Sequence, residues 1–225
     1  MTLATRICLV NNGVLQQYAA PLEVYDRPAN LFVADFVGNP SMNFVDAKGI
    51  QQNDGSFRLT ILNNTTARFI PNDELNITEW RQKRDKEAEA KQDFERQRIM
   101  KKGAVEKSNK DEVFKYHVQR VEEQDDSIAD EPVITDEDYV LGIRPEAIDI
   151  EPTGKINTKI YGAMPTGMES TLKLKVGDFL LTSVIFGSSI YLIGQDANID
   201  IRGKNILLFD RKSGKLITAG NLEIE

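Results

Sequence analysis

The stretch whose spacing comes closest to a nucleotide-binding motif is G-A-M-P-T-G-M-E, residues 162–169. A phosphate-binding loop has two glycines separated by four residues, then Lys and a Ser or Thr, so that backbone amides and an ammonium group hold the phosphates. Gly162 and Gly167 have this separation, but Met168 and Glu169 occupy the positions of the Lys and the hydroxyl. The Glu169 carboxylate would repel phosphate, which excludes a phosphate-binding loop. We therefore interpret the stretch as a turn between strands.

The other groups that could do chemistry are isolated. His117 is the only histidine and Cys8 the only cysteine, so neither has the partners that a zinc site needs. We interpret His117 as a surface residue, and a lone cysteine indicates a reducing compartment. Residues 122–138 contain nine acids and no base, but they lack the apolar surroundings that tune a general acid and the Asp and Gly spacing of a calcium loop. They predict a flexible linker, and no catalytic site is indicated.

The charge balance bears on possible partners. Lys and Arg number 28 and Asp and Glu 35, which gives a net charge of −7 and argues against a surface that binds phosphate backbones. Binding of single-stranded nucleic acid would need basic and aromatic residues interleaved on one face, and the candidate strands contain few of either. We therefore predict no nucleic-acid partner. No apolar run approaches the length of a membrane span, and the start is too short for a signal peptide, so we expect a cytoplasmic protein.

A hairpin is predicted near the start of the chain. Residues 7–10 and 14–18 are β-prone runs around Asn12-Gly13, which suits a type I′ turn. A two-stranded hairpin is marginal alone, so we expect it to belong to a larger sheet that this chain does not supply. Cys8, Leu9 and Leu15 would then need new neighbours. Pairing with a second copy of the chain is one outcome, and fraying of the hairpin beside a monomeric barrel is the other.

Two helices should follow the hairpin. Pro21 and Pro28 both suit the first turn of a helix and predict helices over 22–25 and 29–37. Gly38 can end the second helix with a positive φ, and the following Asn39-Pro40 favours extended backbone.

Many short strands are predicted beyond this point, with a polar interruption. The candidate strands are 43–47, 57–62, 67–70, 138–143, 147–150, 156–164, 171–176, 179–186, 189–193 and 206–210, and glycines such as Gly49 predict turns between them. Even spacing of this kind indicates a barrel or a sandwich, and we favour a five- or six-stranded barrel. Residues 79–102 predict one long charged helix that ends at Gly103. We favour a solvated helix anchored at one end over a coiled coil, because its apolar residues are too sparse for a heptad seam. We expect the whole interruption, 72–138, to pack poorly and to be dispensable for the barrel.

Two stretches are more specific. P-L-E-V-Y-D-R-P-A-N-L-F-V-A-D-F-V-G-N-P-S-M-N-F, at 21–44, and V-L-G-I-R-P-E-A-I, at 140–148, closely resemble the C-terminal half of the ATP-binding subunits of carbohydrate importers of the maltose-transporter type. The resemblance runs from residue 1 to 44, is clear at 139–150, continues more weakly to 210 and is absent over 72–138. Relatives have a much shorter connection there.

The resemblance implies a fold class, domain limits and site residues. It implies a mainly β chain with helices (α+β), in which 1–37 is a remnant of the ATPase domain, 38–71 and 139–225 form an OB-like regulatory (TOBE) domain, and 72–138 is a charged helical insert. The implied interface and regulatory residues are Gly38, Pro40, Met42, Asn43, Gly142, Arg144, Pro145 and Glu146. From the residues alone, Pro145 predicts a corner between strands, flanked by two charged residues that could bond backbone groups or a partner chain.

The resemblance also implies what the chain does. In the intact subunit ATP and magnesium would bind to motifs that lie before Met1, so this fragment would have no cofactor and no catalytic activity. It would serve regulation and dimerisation in sugar import, at the inner face of the cell membrane. The implied partners are a second copy of itself, transmembrane permease subunits and a cytosolic regulatory protein. The alternative is a free-standing OB-like module that binds a small oxyanion or sugar.

Overall fold

The structure is a computed structural model that describes residues 4–102, 114–121, 133–187 and 189–225. The predicted helix end at Gly103 and residues 122–132 of the predicted linker lie outside these ranges. In the described part, no helix combines the length and the apolar character needed to cross a membrane.

The N-terminal segment, residues 4–37, is a hairpin followed by two short helices. Its elements are β1 (Ile7–Asn11), β2 (Val14–Ala19), α1 (Pro21–Asp26) and α2 (Leu31–Phe36). The predicted hairpin turn is confirmed, since Asn12 and Gly13 both have positive φ, 48° and 75°. The expectation that Leu9 lacks a neighbour was wrong, because Leu9 is buried against the two helices, whereas Cys8 and Leu15 are exposed.

Helix α2 begins later than Pro28 predicted. The Asn30 side chain accepts a hydrogen bond of 3.0 Å from the Val33 amide, so the start of the helix is set by this N-cap. Its end agrees with the prediction, because Phe36 is its last residue and Gly38 has a φ of +130°.

The described residues after the N-terminal segment form eleven strands and one long helix. These are β3 (Asn43–Gln51), β4 (Phe57–Ile61), β5 (Thr65–Pro71), α3 (Ile77–Lys102), β6 (Asp138–Ile143), β7 (Ile148–Ile150), β8 (Ile156–Pro165), β9 (Glu169–Val176), β10 (Phe179–Phe186), β11 (Asp196–Ile201), β12 (Ile206–Asp210) and β13 (Leu216–Ile224). A short 3-10 turn, Pro145–Ala147, joins β6 to β7. The chain is therefore mainly β with few helices.

Six antiparallel strands close a barrel in the order β12-β13-β5-β4-β3-β6, consistent with an OB-like fold. Alternate side chains point inward, as along β4, where Phe57, Leu59 and Ile61 are buried between exposed neighbours. Inside, the Phe57 ring meets Phe69 and Tyr139 edge-to-face, with centroids 6.2 and 5.7 Å apart. The predicted closed barrel is confirmed.

A separate five-stranded sheet, in the order β10-β9-β8-β11-β7, was not predicted. Residues 189–193 were expected to form a strand but lie in a loop between Gly187 and Gly194, both with positive φ, and Ile190 is 86% exposed. The turn geometry overrides their β propensity. Strands β11 and β13 were missed because acids, Asn and Gly interrupt their apolar residues.

Gly49 was predicted to mark a turn but lies inside β3, opposite Leu59. A Cβ on Gly49 would lie 1.9 Å from the Arg58 carbonyl oxygen, so the glycine permits a close approach of two strands. The stretch 162–169 contains the β8–β9 turn, as predicted, with Gly167 at φ +101°.

Helix α3 contains the predicted helix 79–102 and is anchored at its N-terminal end. Asn76 accepts from the Thr78 and Glu79 amides as an N-cap, and Ile77 is buried in the barrel core. Arg84 is 5% exposed and bonds the buried Asp210 of β12, Nη1 to Oδ1, at 2.9 Å. The expectation that residues 72–138 pack poorly was therefore wrong for this end of the helix, whereas Phe94 is 67% exposed.

Candidate functional site: the joint between the N-terminal segment and the barrel

The residues singled out from the sequence come together in space. Gly38, Pro40, Met42 and Asn43 follow α2, and Gly142, Arg144, Pro145 and Glu146 follow or end β6. Pairing of Asn43 with Ile143 and of Phe44 with Gly142 brings the two groups side by side. We call residues 37–44 with 142–146 the joint.

Arg144 lies at the centre of the joint and is 5% exposed. Its Nη2 donates to the Tyr25 carbonyl oxygen at 2.8 Å, and its Nη1 donates to the Val37 carbonyl oxygen. Tyr25 lies in the last turn of α1 and Val37 is the C-cap of α2. One guanidinium thus satisfies carbonyls at the C-terminal ends of both helices, where the helix dipoles favour positive charge.

The ring of Tyr25 completes the site around Arg144. The guanidinium Cζ lies 3.9 Å from the ring centroid, and the Tyr25 hydroxyl donates to Glu146 Oε1 at 2.5 Å. Burial, followed by the hydrogen bond to Glu146, raises the pKa of Tyr25 to about 12, although the nearby Arg144 opposes the rise. Burial also lowers the pKa of Arg144, which stays charged because an arginine starts so high.

Two glycines allow the chain to approach itself here. A Cβ on Gly38 would lie 2.8 Å from Arg144 Nη1, and Gly38 also has positive φ. A Cβ on Gly142 would lie 2.4 Å from Met42 Sδ and 2.9 Å from the ring of Phe209. Met42 therefore packs directly on the backbone of β6. The Asn39-Pro40 peptide bond within the joint is cis.

Asn43 connects the barrel to the five-stranded sheet. Its Nδ2 donates to the carbonyl oxygens of Thr182, at 2.8 Å, and Ile143, at 3.1 Å, and its Oδ1 accepts from the Thr182 amide at 2.6 Å. The amide side chain so takes the place of a neighbouring strand beside β10. Because Asn43 is buried, each of these bonds replaces one to water that folding removes.

Helix α2 separates two apolar clusters. Its Val33 packs with Leu9 and Val24 of the N-terminal segment. On its other side, Leu31 and Ala34 pack on the outer face of the barrel against residues that include Met42, Phe44, Val140, Leu207 and Phe209. The N-terminal segment is thus attached to the barrel by a buried apolar layer as well as by Arg144.

Sequence reasoning missed Tyr25, Val37 and Thr182 as partners within the joint. Tyr25 stands in the stretch that carries the family resemblance, but nothing in its spacing indicated contact with residues 144 and 146. Backbone acceptors such as the Val37 carbonyl cannot be identified from a sequence, because every residue has one. The joint positions two helices on a barrel. Among the described residues, no group of three His, Cys, Asp or Glu side chains could hold a metal ion.

Three grooves of the described surface are lined by residues outside the joint. One of about 750 Å³ runs beside β11 and β13 and is lined in part by Lys155, Arg202 and Lys204. Lys155 donates to the Ile224 carbonyl oxygen, and Arg202 is paired with acids at 151 and 200. These two cations already have partners, so this groove gives no specific support for an oxyanion site.

The fold and the joint define a β-barrel carrying a short N-terminal α/β segment, and comparison with known proteins adds a family. No protein-family model matches the chain. It is 52% identical over 65 residues to a trehalose/maltose import ATP-binding protein of Thermococcus litoralis, a match that covers 28% of this chain and 18% of the relative. It is 51% identical over 55 residues to an sn-glycerol-3-phosphate import ATP-binding protein of Bartonella quintana, covering 24% and 16%. A putative ATP-binding protein of Brucella abortus is 60% identical over 45 residues, covering 20% and 13%.

The resemblance inferred from the sequence is therefore confirmed. The chain is homologous, over part of its length, to ATP-binding subunits of ABC importers of the sugar-import type. Its matches span less than a fifth of the length of these curated relatives.

Proposed function

We propose that the chain is the C-terminal regulatory and dimerisation portion of the ATP-binding subunit of an ABC carbohydrate importer. The observation that carries this is the joint, in which Arg144 binds the ends of α1 and α2 and fixes the N-terminal segment to the barrel. In the proposal, residues 1–37 are the end of the ATPase domain and the barrel with the five-stranded sheet is the regulatory domain.

The proposal assigns each part a role. Residues 38–71 and 139–225 make the OB-like regulatory unit, and 72–138 is a charged helical insert in place of a much shorter connection. A second copy of the chain, transmembrane permease subunits and a cytosolic regulatory protein are the partners, at the inner face of the cell membrane. The rigid attachment of α2 to the barrel would pass a displacement of one part to the other.

ATP and magnesium belong to the intact subunit in this proposal, and the chain itself has no ATPase activity. We expect no change in its melting temperature on addition of ATP with magnesium, because the 162–169 stretch contains the β8–β9 turn and has Met168 and Glu169 at the positions of the Lys and the hydroxyl residue of a phosphate-binding loop. The control omits magnesium and uses protein purified from a second host. Stabilisation by ATP that persists without magnesium and in the protein from the second host would contradict the assignment.

Dimerisation is tested by sedimentation equilibrium of the full chain over a wide concentration range. Two variants locate the interface: Leu15→Glu on the hairpin, where Leu15 is 59% exposed, and Phe186→Glu at the end of β10, where Phe186 is 71% exposed. We expect a concentration-dependent dimer that one of these variants abolishes. Loss with Leu15→Glu assigns the hairpin edge, and loss with Phe186→Glu assigns the five-stranded sheet. A monomer at every concentration contradicts the dimerisation role.

A further inference from the structure

Residues 114–121, which we call the clasp, lie across three parts of the molecule. The first half of the clasp contacts the N-terminal segment and the barrel through two aromatic side chains. The ring of Phe114 meets Phe32 of α2 edge-to-face, with centroids 5.6 Å apart. The ring of Tyr116 lies 5.7 Å from that of Phe44 on β3, and its hydroxyl donates to Asp46 Oδ1.

The second half of the clasp binds the open edge of β10. The Leu180 amide donates to the Gln119 carbonyl oxygen at 2.8 Å, and the Val121 amide donates to the Asp178 carbonyl oxygen at 3.0 Å. Arg120 pairs with Phe179 as an antiparallel bridge, and its guanidinium lies 4.9 Å from the centroid of the Phe179 ring. The clasp thus adds a short strand to the five-stranded sheet.

One side-chain contact fixes the register of this strand. Lys173 Nζ donates to Gln119 Oε1 at 2.6 Å and to Thr182 Oγ1 at 2.7 Å. A slip of the clasp by one residue would turn Gln119 away from Lys173.

The clasp alternates in the way an extended peptide does. Phe114 and Tyr116 are half-buried, whereas Lys115 and His117 between and beside them are exposed. Two aromatic anchors two residues apart, followed by backbone pairing with a sheet edge, is how extended peptides bind to proteins by strand addition. Here the peptide belongs to the same chain and lies within the region that has no counterpart in the resemblance to importer subunits.

We propose that the clasp is an intramolecular ligand of a peptide-binding groove. The groove is formed by Phe32, Phe44, Asp46 and the β10 edge, and the peptides it accepts are extended and carry aromatic residues at positions i and i+2. Residues 114–121 occupy it in cis and hold the N-terminal segment, the barrel and the sheet together. Because a tethered segment is present at millimolar effective concentration, a peptide in trans binds only when the clasp is released.

The test releases the clasp in the full-length chain and offers the same peptide in trans. The variant is Phe114→Ala/Tyr116→Ala, and the probe is a fluorescently labelled synthetic peptide of residues 114–121, followed by fluorescence anisotropy. We expect the variant to bind the probe at least ten-fold more tightly than the unchanged chain, whose groove is occupied. His117→Ala is the matched control, because it alters an exposed side chain of the same segment, and it should bind like the unchanged chain. A peptide with Ala in place of both aromatic residues should not bind.

Amide hydrogen exchange gives a second readout. In the double variant the Leu180 amide should exchange at least ten-fold faster, and an excess of the peptide should restore its protection, while the Val45 and Leu141 amides of the barrel stay unchanged. Failure of the variant to bind the peptide overturns the proposal, as does equal binding by the unchanged chain. Loss of protection throughout the barrel also overturns it, since the two aromatic residues would then belong to the folding core.

Discussion

The guanidinium of Arg144 lies over the ring of Tyr25, and the hydroxyl of that tyrosine donates to Glu146, two residues after Arg144. The same guanidinium also donates to the Tyr25 backbone, so one tyrosine meets the arginine through its ring and its carbonyl. These two contacts, one with the ring and one with the carbonyl oxygen, define where α1 lies relative to the barrel.

We predict that Arg144→Met lowers the free energy of unfolding by about 3 kcal/mol, because it leaves a buried carbonyl at Val37 and a partly buried one at Tyr25 without their donor. Arg144→Lys should recover less than half of this loss, since an ammonium cannot reach both carbonyls as a planar fork does. Urea denaturation followed by circular dichroism measures both. Arg58→Met is the control: the Arg58 side chain is 67% exposed, and its substitution should change the unfolding free energy by less than about 0.5 kcal/mol. Equal losses at the two arginines would disprove the capping role.

Tyr25 predicts a loss of stability at high pH. Its pKa is about 12 in the folded chain and 10.0 for the free side chain, so between these values the unfolded chain gives up its proton first. Folding then weakens as the pH rises from 10 to 12, and the contribution is complete below pH 10. Because Tyr25 is only partly buried, solvent screening limits the effect to roughly 1 kcal/mol.

The measurement is the unfolding free energy across this pH range in the unchanged chain and in Tyr25→Phe. Tyr116 and Tyr139 also have raised pKa values, through burial first, so the difference between the two chains isolates Tyr25. Parallel pH curves would show that the Tyr25 hydroxyl has no part in the effect.

Gly142→Ala should destabilise the joint by about 2 kcal/mol, because the added methyl group would overlap Met42 Sδ and the Phe209 ring. Gly162→Ala is the matched control, since its Cβ would lie 3.6 Å from Lys173 Cβ, an ordinary contact. Thermal melts of both variants give the comparison. Combining Gly142→Ala with Met42→Ala should recover part of the loss, and no recovery would argue that Met42 is not the residue displaced.

Arg84 and Phe94 divide α3 into an anchored and a solvated part. We predict that Arg84→Ala costs about 3 kcal/mol, because it leaves Asp210, whose side chain is 2% exposed, without its cationic partner. Phe94→Ser should change the unfolding free energy by less than about 0.5 kcal/mol. Denaturant titrations of both variants measure these changes. A larger loss of unfolding free energy in Phe94→Ser than in Arg84→Ala would show that Phe94, and not Arg84, anchors the helix.

Much of the barrel was predictable because its signals are local. Alternation along 57–61 and the apolar run at 138–143 each identify a strand without knowledge of the rest. Strands β11 and β13 escaped prediction because their polar and glycine positions have meaning only beside particular neighbours. Gly220, for example, lies where a Cβ would come 2.4 Å from the Ile70 carbonyl oxygen, a close approach that the sequence does not reveal.

The joint was predictable as a set of residues but not as a mechanism. Gly38 and Arg144 were singled out through the family resemblance, and the structure places them side by side. Arg144 binds backbone carbonyls at the ends of two helices. Because every residue has a backbone carbonyl, composition and spacing could not predict these contacts. The clasp was hidden for a related reason: Phe114 and Tyr116 stand in a polar region, and only tertiary contacts distinguish them from solvated aromatics.

The strand order of the barrel has a consequence for synthesis on the ribosome. β3, β4 and β5 are made one after another and pair as neighbours, but β3 is completed by β6 and β5 by β13, which are both made after α3. A nascent chain that has emerged only as far as α3 is therefore an open three-stranded sheet with both outer edges unpaired. Such edges pair readily with other strands, including those of chains growing on the same messenger RNA. The rate of translation between α3 and β13 thus sets how long each new chain is exposed to its neighbours before the barrel closes.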